Sequence, residues 1–188
     1  LIQMDLLDIN LLGEKYDIIE CGGVLHHMKD PIEGLKALLN VLNKNCFLKL
    51  GLYSQLGRKD IIKARQYISS QDLKPTKNDM RLLREKIISN ELADLNSLKS
   101  STDFYSLSEF RDLCFHIKEH RFSVDQLNTI FISLKLKFLG FLVPEKIKSL
   151  YKNYYPEDNK QTNLKNWANF EKEFPNTFRG MYQFWVRK

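Results

Sequence analysis

Long apolar runs are missing. No stretch of the 188 residues approaches the ~18 that a membrane-spanning helix needs. Leu1 to Leu12 is interrupted by Asp5 and Asp8 and lacks a basic start, so no secretory leader is expected there. Cysteine is scarce: Cys21, Cys46 and Cys114 are odd in number and far apart, which argues against a disulfide framework and suits free thiols in a reducing, cytoplasmic compartment. Eight glycines and five prolines are too few and too scattered for a low-complexity tract, and no internal repeat is visible. No two glycines stand in G-x-G spacing, so a phosphate-cradling loop of that kind is absent from these residues. The net charge of +6 comes from lysines spread along the whole chain rather than from a basic block, so a solvated basic surface is expected and nucleic acid is not the expected partner.

A hydrophobic content of 43% and the length fit one globular domain with a real core. The most informative stretch is Tyr16 to Pro31, YDIIECGGVLHHMKDP. Asp17-Ile18-Ile19 is a short β-branched run and predicts a buried strand. Gly22-Gly23 lets the backbone turn and come close to a ligand with no Cβ in the way. A loop carrying His26 and His27 follows, and Asp30-Pro31 caps and starts a helix near Ile32. Ile32, Leu35, Leu38, Leu39 and Leu42 recur at helical spacing, and Asn43-Lys44-Asn45 stops that helix. Cys46 to Leu50 predicts a second buried strand, turning at Gly51-Leu52-Tyr53-Ser54. Strand, helix, strand makes a crossover unit, so these two strands should run parallel with the ligand crevice at their carboxyl ends. Tyr53 would share its rim with His26 and His27.

Two charged helices are expected around Ile61 to Ile68 and Asp79 to Ser89, separated by Pro75. Ser106-Leu107-Ser108-Glu109 spells a capping box for a helix whose apolar stripe is Phe110, Leu113, Cys114 and Ile117. A helix after Ser123, a strand over Leu136 to Val143, helices over Glu145 to Tyr155 and Asn163 to Phe174, and an aromatic-rich strand over Arg179 to Lys188 complete the chain.

The run Tyr16-Asp17-Ile18-Ile19, Gly22-Gly23, Val24-Leu25-His26-His27-Met28, Asp30-Pro31 resembles the fourth-strand motif of the class I S-adenosylmethionine-dependent methyltransferases. The resemblance implies an α/β fold: a partial Rossmann-like sheet holding the end of the third strand, then strands four to seven. The last strand would insert antiparallel, and a helical insertion would follow the fifth strand. It implies a sheet core over residues 1–56 and 123–188 and a helical cap over 57–122. Leu1 to Met4 would be the end of a strand, and Asp5 with Leu6 would contact the adenine. Glu20, Cys21, Gly22, Gly23, Val24 and His27 would complete the cofactor wall for S-adenosyl-L-methionine. His26 and Tyr53 are the catalytic candidates, with His26 toward the cleft and His27 more structural. Tyr105, Arg111, His116 and His120 are the candidates for an acceptor, small molecule or protein, whose identity stays open. The family's glycine-rich loop has no counterpart here, so a missing amino-terminal half of the same chain is the expected partner, and this chain alone should be inactive. Relatives that bind a divalent metal carry Glu-x-x-Glu-His where this chain has Gly23, His26 and His27, so no metal is expected.

Two other readings stay open. One is a binding or scaffold module of the same fold without catalysis. The other is a zinc hydrolase, because His116-Ile117-Lys118-Glu119-His120 spells H-x-x-E-H. On a helix it would put two imidazoles one turn apart, with Glu119 as base and Glu145 or Glu157 as third ligand. Such a short motif also arises by chance, as a helix with imidazoles toward the cleft or solvent.

Overall fold

The computed structural model describes residues 1–116 and 119–188. The chain divides into two compact units, one of Leu1–Gly57 with Lys118–Lys188 and one of Arg58–Ile117.

The first unit is built on a four-stranded sheet of β1 (Tyr16–Gly22), β2 (Leu42–Leu52), β3 (Lys137–Phe141) and β4 (Tyr182–Arg187), in the order β1-β2-β4-β3. β1 and β2 are parallel, joined through α1 (Pro31–Val41), as the crossover pattern requires. β4 lies antiparallel between β2 and β3. Asp30 starts α1 by accepting from the N–H groups of Ile32 and Glu33, with Pro31 where a missing N–H costs nothing. The remaining helices here are α5 (Val124–Ser133), α6 (Glu145–Tyr154) and α7 (Leu164–Glu173).

Alternation along β2 and β4 sets the layers. Leu48, Leu50 and Leu52 with Tyr182, Phe184 and Val186 are buried in one core, which α1, α5 and α7 supply with Leu38, Leu127, Trp167 and Phe170. A register shift at Gly140, whose φ is +134°, lets Phe138 and Phe141 both join that core although they stand three positions apart. The opposite face is open. Ile18 is 60% and Phe47 41% exposed, and they line a shallow cavity of about 380 Å³ with Leu139, Leu142 and Trp185.

That open face corrects the expectation of a buried first strand: only Cys21 of β1 is buried. Leu1 to Met4 form no strand; Asp5 caps a 3-10 helix over Leu6–Leu12 instead. The second strand begins at Leu42, four residues before Cys46, because the Asn43–Asn45 stretch stays in the sheet as an irregularity in the register with β1, with Asn45 at φ +60°.

The second unit packs α2 (Lys59–Ser70), α3 (Lys77–Ile88) and α4 (Leu107–Phe115) with two 3-10 turns around Ile61, Leu83, Ile87, Phe104 and Phe110. The Arg84 guanidinium lies over the Phe104 and Phe110 rings at 5.6 and 6.0 Å and donates to the Tyr105 carbonyl. The Ser106 box does not form: Ser106 makes no side-chain cap bond, and its hydroxyl pairs with Ser108. Ser123 forms one, with Gln126. The fourth stripe residue, Ile117, lies outside the described residues.

Candidate functional site

Parallel pairing brings the ends of β1 and β2 side by side, with Gly22 opposite Gly51. Gly23 follows with φ +77°, in the left-handed region that glycine tolerates, and its N–H reaches the Gly51 carbonyl at 3.4 Å. A Cβ built at Gly22 or Gly23 meets no atom within 4 Å, so the backbone presents a bare strip to whatever lies beyond it. Beside the strip is a cavity of about 130 Å³ lined by Glu20, Cys21, Lys49, Gly51, Met181 and Gln183, among others. Lys49 Nζ lies 3.1 Å from Glu20 Oε2 across the strands. Burial pushes the Cys21 thiol up, keeping it neutral and a poor nucleophile.

Three loops meet past the glycines. Leu25–His27 makes a 3-10 turn, and the His26 ring stacks on Tyr53 with centroids 3.8 Å apart. His27 meets His26 edge-on at 4.3 Å and Tyr53 at 5.9 Å. Residues 119–122 stitch the two loops together: the His120 N–H donates to the His26 carbonyl and the Phe122 N–H to the Tyr53 carbonyl, at 2.8 and 2.9 Å. The Gln55 N–H returns to the Phe122 carbonyl at 2.9 Å. The Glu119 side chain is fully buried, with Arg121 Nη1 3.9 Å from its Oε1.

The sequence candidates sort accordingly. Gly22, Gly23, Val24, Glu20, Cys21, His26, His27, Tyr53 and His120 belong to one neighbourhood of the first unit. Of the two histidines, His26 is 0% exposed and His27 is partly open. Asp5 is exposed, and one of its carboxylate oxygens accepts the Leu7 N–H at 2.9 Å, as an ordinary cap does. Leu6 packs partly against the core. Tyr105, Arg111 and His116 belong to the second unit. There the Tyr105 hydroxyl donates to the Lys99 carbonyl, Arg111 is exposed, and His116 is the extended C-cap of α4. The zinc helix does not exist as read, since α4 stops at Phe115 and Glu119 and His120 are not helical; Lys118 within the motif lies outside the described residues. No group of three metal-ligating side chains occurs among the described residues. Lys49, Met181 and Gln183 line the cavity without any local spacing in the sequence to mark them, because the pairing of β1, β2 and β4 brings them there.

Searched against solved structures, the chain matches PKMT2 from Rickettsia typhi with a TM-score of 0.68 at 18% identity, over 97% of this chain and 37% of that one. It has a methyltransferase fold. The structure of PKMT2 in complex with AdoHcy matches at TM-score 0.66, again at 18% identity, over 97% of this chain and 38% of that one. Among curated proteins, an uncharacterized Synechococcus protein, syc1184_c, is 29% identical over 146 residues, which are 74% of this chain and 35% of that protein. The chain thus spans little more than a third of the length of each. No family model matches the chain. Among the described residues, no helix is long and apolar enough to cross a membrane.

Proposed function

We propose that this chain is the carboxyl-terminal portion of a class I S-adenosylmethionine-dependent methyltransferase domain, and that an amino-terminal portion beyond these residues completes the cofactor site. The reading is carried by the bare strip of Gly22 and Gly23 at the ends of the parallel strands, in a fold whose solved neighbour is found with AdoHcy, the product of such methyl transfer. The strip fits the group, since a nucleoside-bearing ligand can approach backbone that no Cβ shields. When bound, the cofactor supplies an electrophilic methyl carbon. Gly22, Gly23 and Val24 then form the cofactor wall, and the Glu20 carboxylate offers an acceptor at its edge.

Of the two imidazoles, His27 is the one open enough to take a proton from an acceptor, while buried His26 is stacked on the Tyr53 ring. The acceptor lies on the side of Tyr53 and His120. Holding donor and acceptor in line supplies most of the rate in such a site. Titration calorimetry with S-adenosylmethionine, on this chain and on a form extended at its amino terminus, tests the reading. Binding is expected only for the extended form, and no binding by either rejects the proposal. Binding without any methyl transfer would favour the alternative, a scaffold module of the same fold.

A further inference from the structure

Behind Tyr53 lies a carboxylate that the crevice does not use. Glu171, on α7, is only 2% exposed. Its Oε1 accepts from the Ser54 hydroxyl, and its Oε2 from the Tyr182 hydroxyl at 2.6 Å. The Ser54 Oγ also accepts the Gly57 N–H at 2.8 Å, which closes the turn after β2. Tyr182 stands opposite Leu52 in the β2–β4 register, so both hydroxyls arrive from the same end of the sheet.

We propose that Glu171 is a positioning residue for the Tyr53–His26 stack, acting through the buried hydroxyl of Ser54. Packing alone does not explain a carboxylate at this place, because a buried charge costs far more than an apolar or amide side chain of the same size. A carboxylate offers an acceptor oxygen to each hydroxyl, where an amide would set a donor NH2 against one of them, and its charge-assisted bonds are roughly twice as strong as neutral ones. Those bonds hold α7, β4 and the 54–57 turn as one piece. The turn has no freedom on its other side, since the Phe122 N–H fixes the Tyr53 carbonyl and Gly57 lies hard against the Phe178 carbonyl. Tyr53 is the residue next to Ser54, and its ring is the surface on which His26 rests. The consequence for methyl transfer rests on the function proposed above; the positioning itself does not.

The test is aromatic proton resonances of the full 188-residue chain labelled in histidine, tyrosine and tryptophan. Stacking on Tyr53 displaces the His26 ring signals upfield. Glu171→Gln keeps the size and removes the charge, and Ser54→Ala removes the link while leaving Tyr182 its partner. Both are expected to lose much of that displacement and to broaden the Tyr53 ring signals, with the indole N–H signals of Trp167 and Trp185 unmoved. Unchanged His26 and Tyr53 signals in either folded variant overturn the proposal, as does a uniform shift of all aromatic signals, which marks general loosening. If Glu171→Gln fails to fold, Ser54→Ala alone decides. Absence of S-adenosylmethionine binding by the extended wild type rejects the methyltransferase reading and leaves this result standing.

Discussion

Gly23 and Gly57 each need to be glycine, for different reasons. At Gly23 there is space for a side chain but the backbone is left-handed; at Gly57 a Cβ would sit 2.3 Å from the Phe178 carbonyl oxygen. A backbone carbonyl cannot swing aside as a side chain can. Gly23→Ala should therefore cost about 1–2 kcal/mol, the usual left-handed penalty. Gly57→Ala should cost at least as much as ordinary overpacking, about 1–3 kcal/mol, and the more of the two. Urea denaturation of both variants gives the order; a milder Gly57→Ala would mean that the 54–57 turn can shift. Glu171 adds a pH signature. Burial raises its carboxyl above the usual range, against the pull of the Ser54 and Tyr182 hydroxyls. The folded chain therefore holds this proton more tightly than the unfolded chain. Its contribution is fully present below the unfolded value near ~4.3 and is lost as pH rises through the folded one. Glu171→Gln cannot titrate, so its stability relative to wild type should climb with pH across that window and level off above it. Urea midpoints measured on both sides of the window check the slope, and a flat difference would contradict the raised value.

Helix starts test how far local spelling decides structure. Ser106 and Ser123 both precede helices, yet only the Ser123 side chain bonds backbone in its own helix. Ser123→Ala should cost about 1 kcal/mol and Ser106→Ala less than about 0.5 kcal/mol, read as shifts in denaturation midpoint. The sequence could not separate them, because S-x-x-E names a possible bond and the backbone path into α4 decides whether the hydroxyl is aimed at it. Asp30-Pro31 misled nowhere, since a proline fixes its own φ whatever surrounds it. The zinc-like spelling failed for the opposite reason: five letters imply a helix only if the helix continues, and α4 ends at Phe115. Trp167, Phe170 and Phe174 stand at helical spacing in the sequence, which marks Trp167 as an inner residue of α7. It stacks on Tyr151 at 3.9 Å and donates to the Gln161 carbonyl at 2.8 Å. Trp167→Ala should cost about 3–5 kcal/mol, more than either cap.

For the molecule as a whole, what the sequence made readable is the part in which chain neighbours are also space neighbours. The β1–α1–β2 crossover and the glycine turn follow from adjacent residues. The antiparallel place of β4 followed from family resemblance alone, because nothing in an alternating aromatic strand names its partners. Glu171 was invisible for the same reason, lying 117 residues from Ser54. The exposed side of β1 and β2 escaped too: an Ile-Ile pair looks equally apolar whether one face or both are covered. Parallel strands in α/β proteins ordinarily have both faces covered, and Ile18 and Phe47 here do not. Replacing both with lysine should cost this chain no more than about 1 kcal/mol, the size of the one cross-strand pair it removes, since neither side chain is fully buried in it. Binding of an apolar fluorescent dye and self-association should both fall, as an open apolar patch is removed. In a form extended at its amino terminus the same pair should instead cost about 1.5–3 kcal/mol for each side chain that becomes fully covered. Equal, small losses in both forms would mean that this face stays bare and that the proposed amino-terminal portion packs elsewhere.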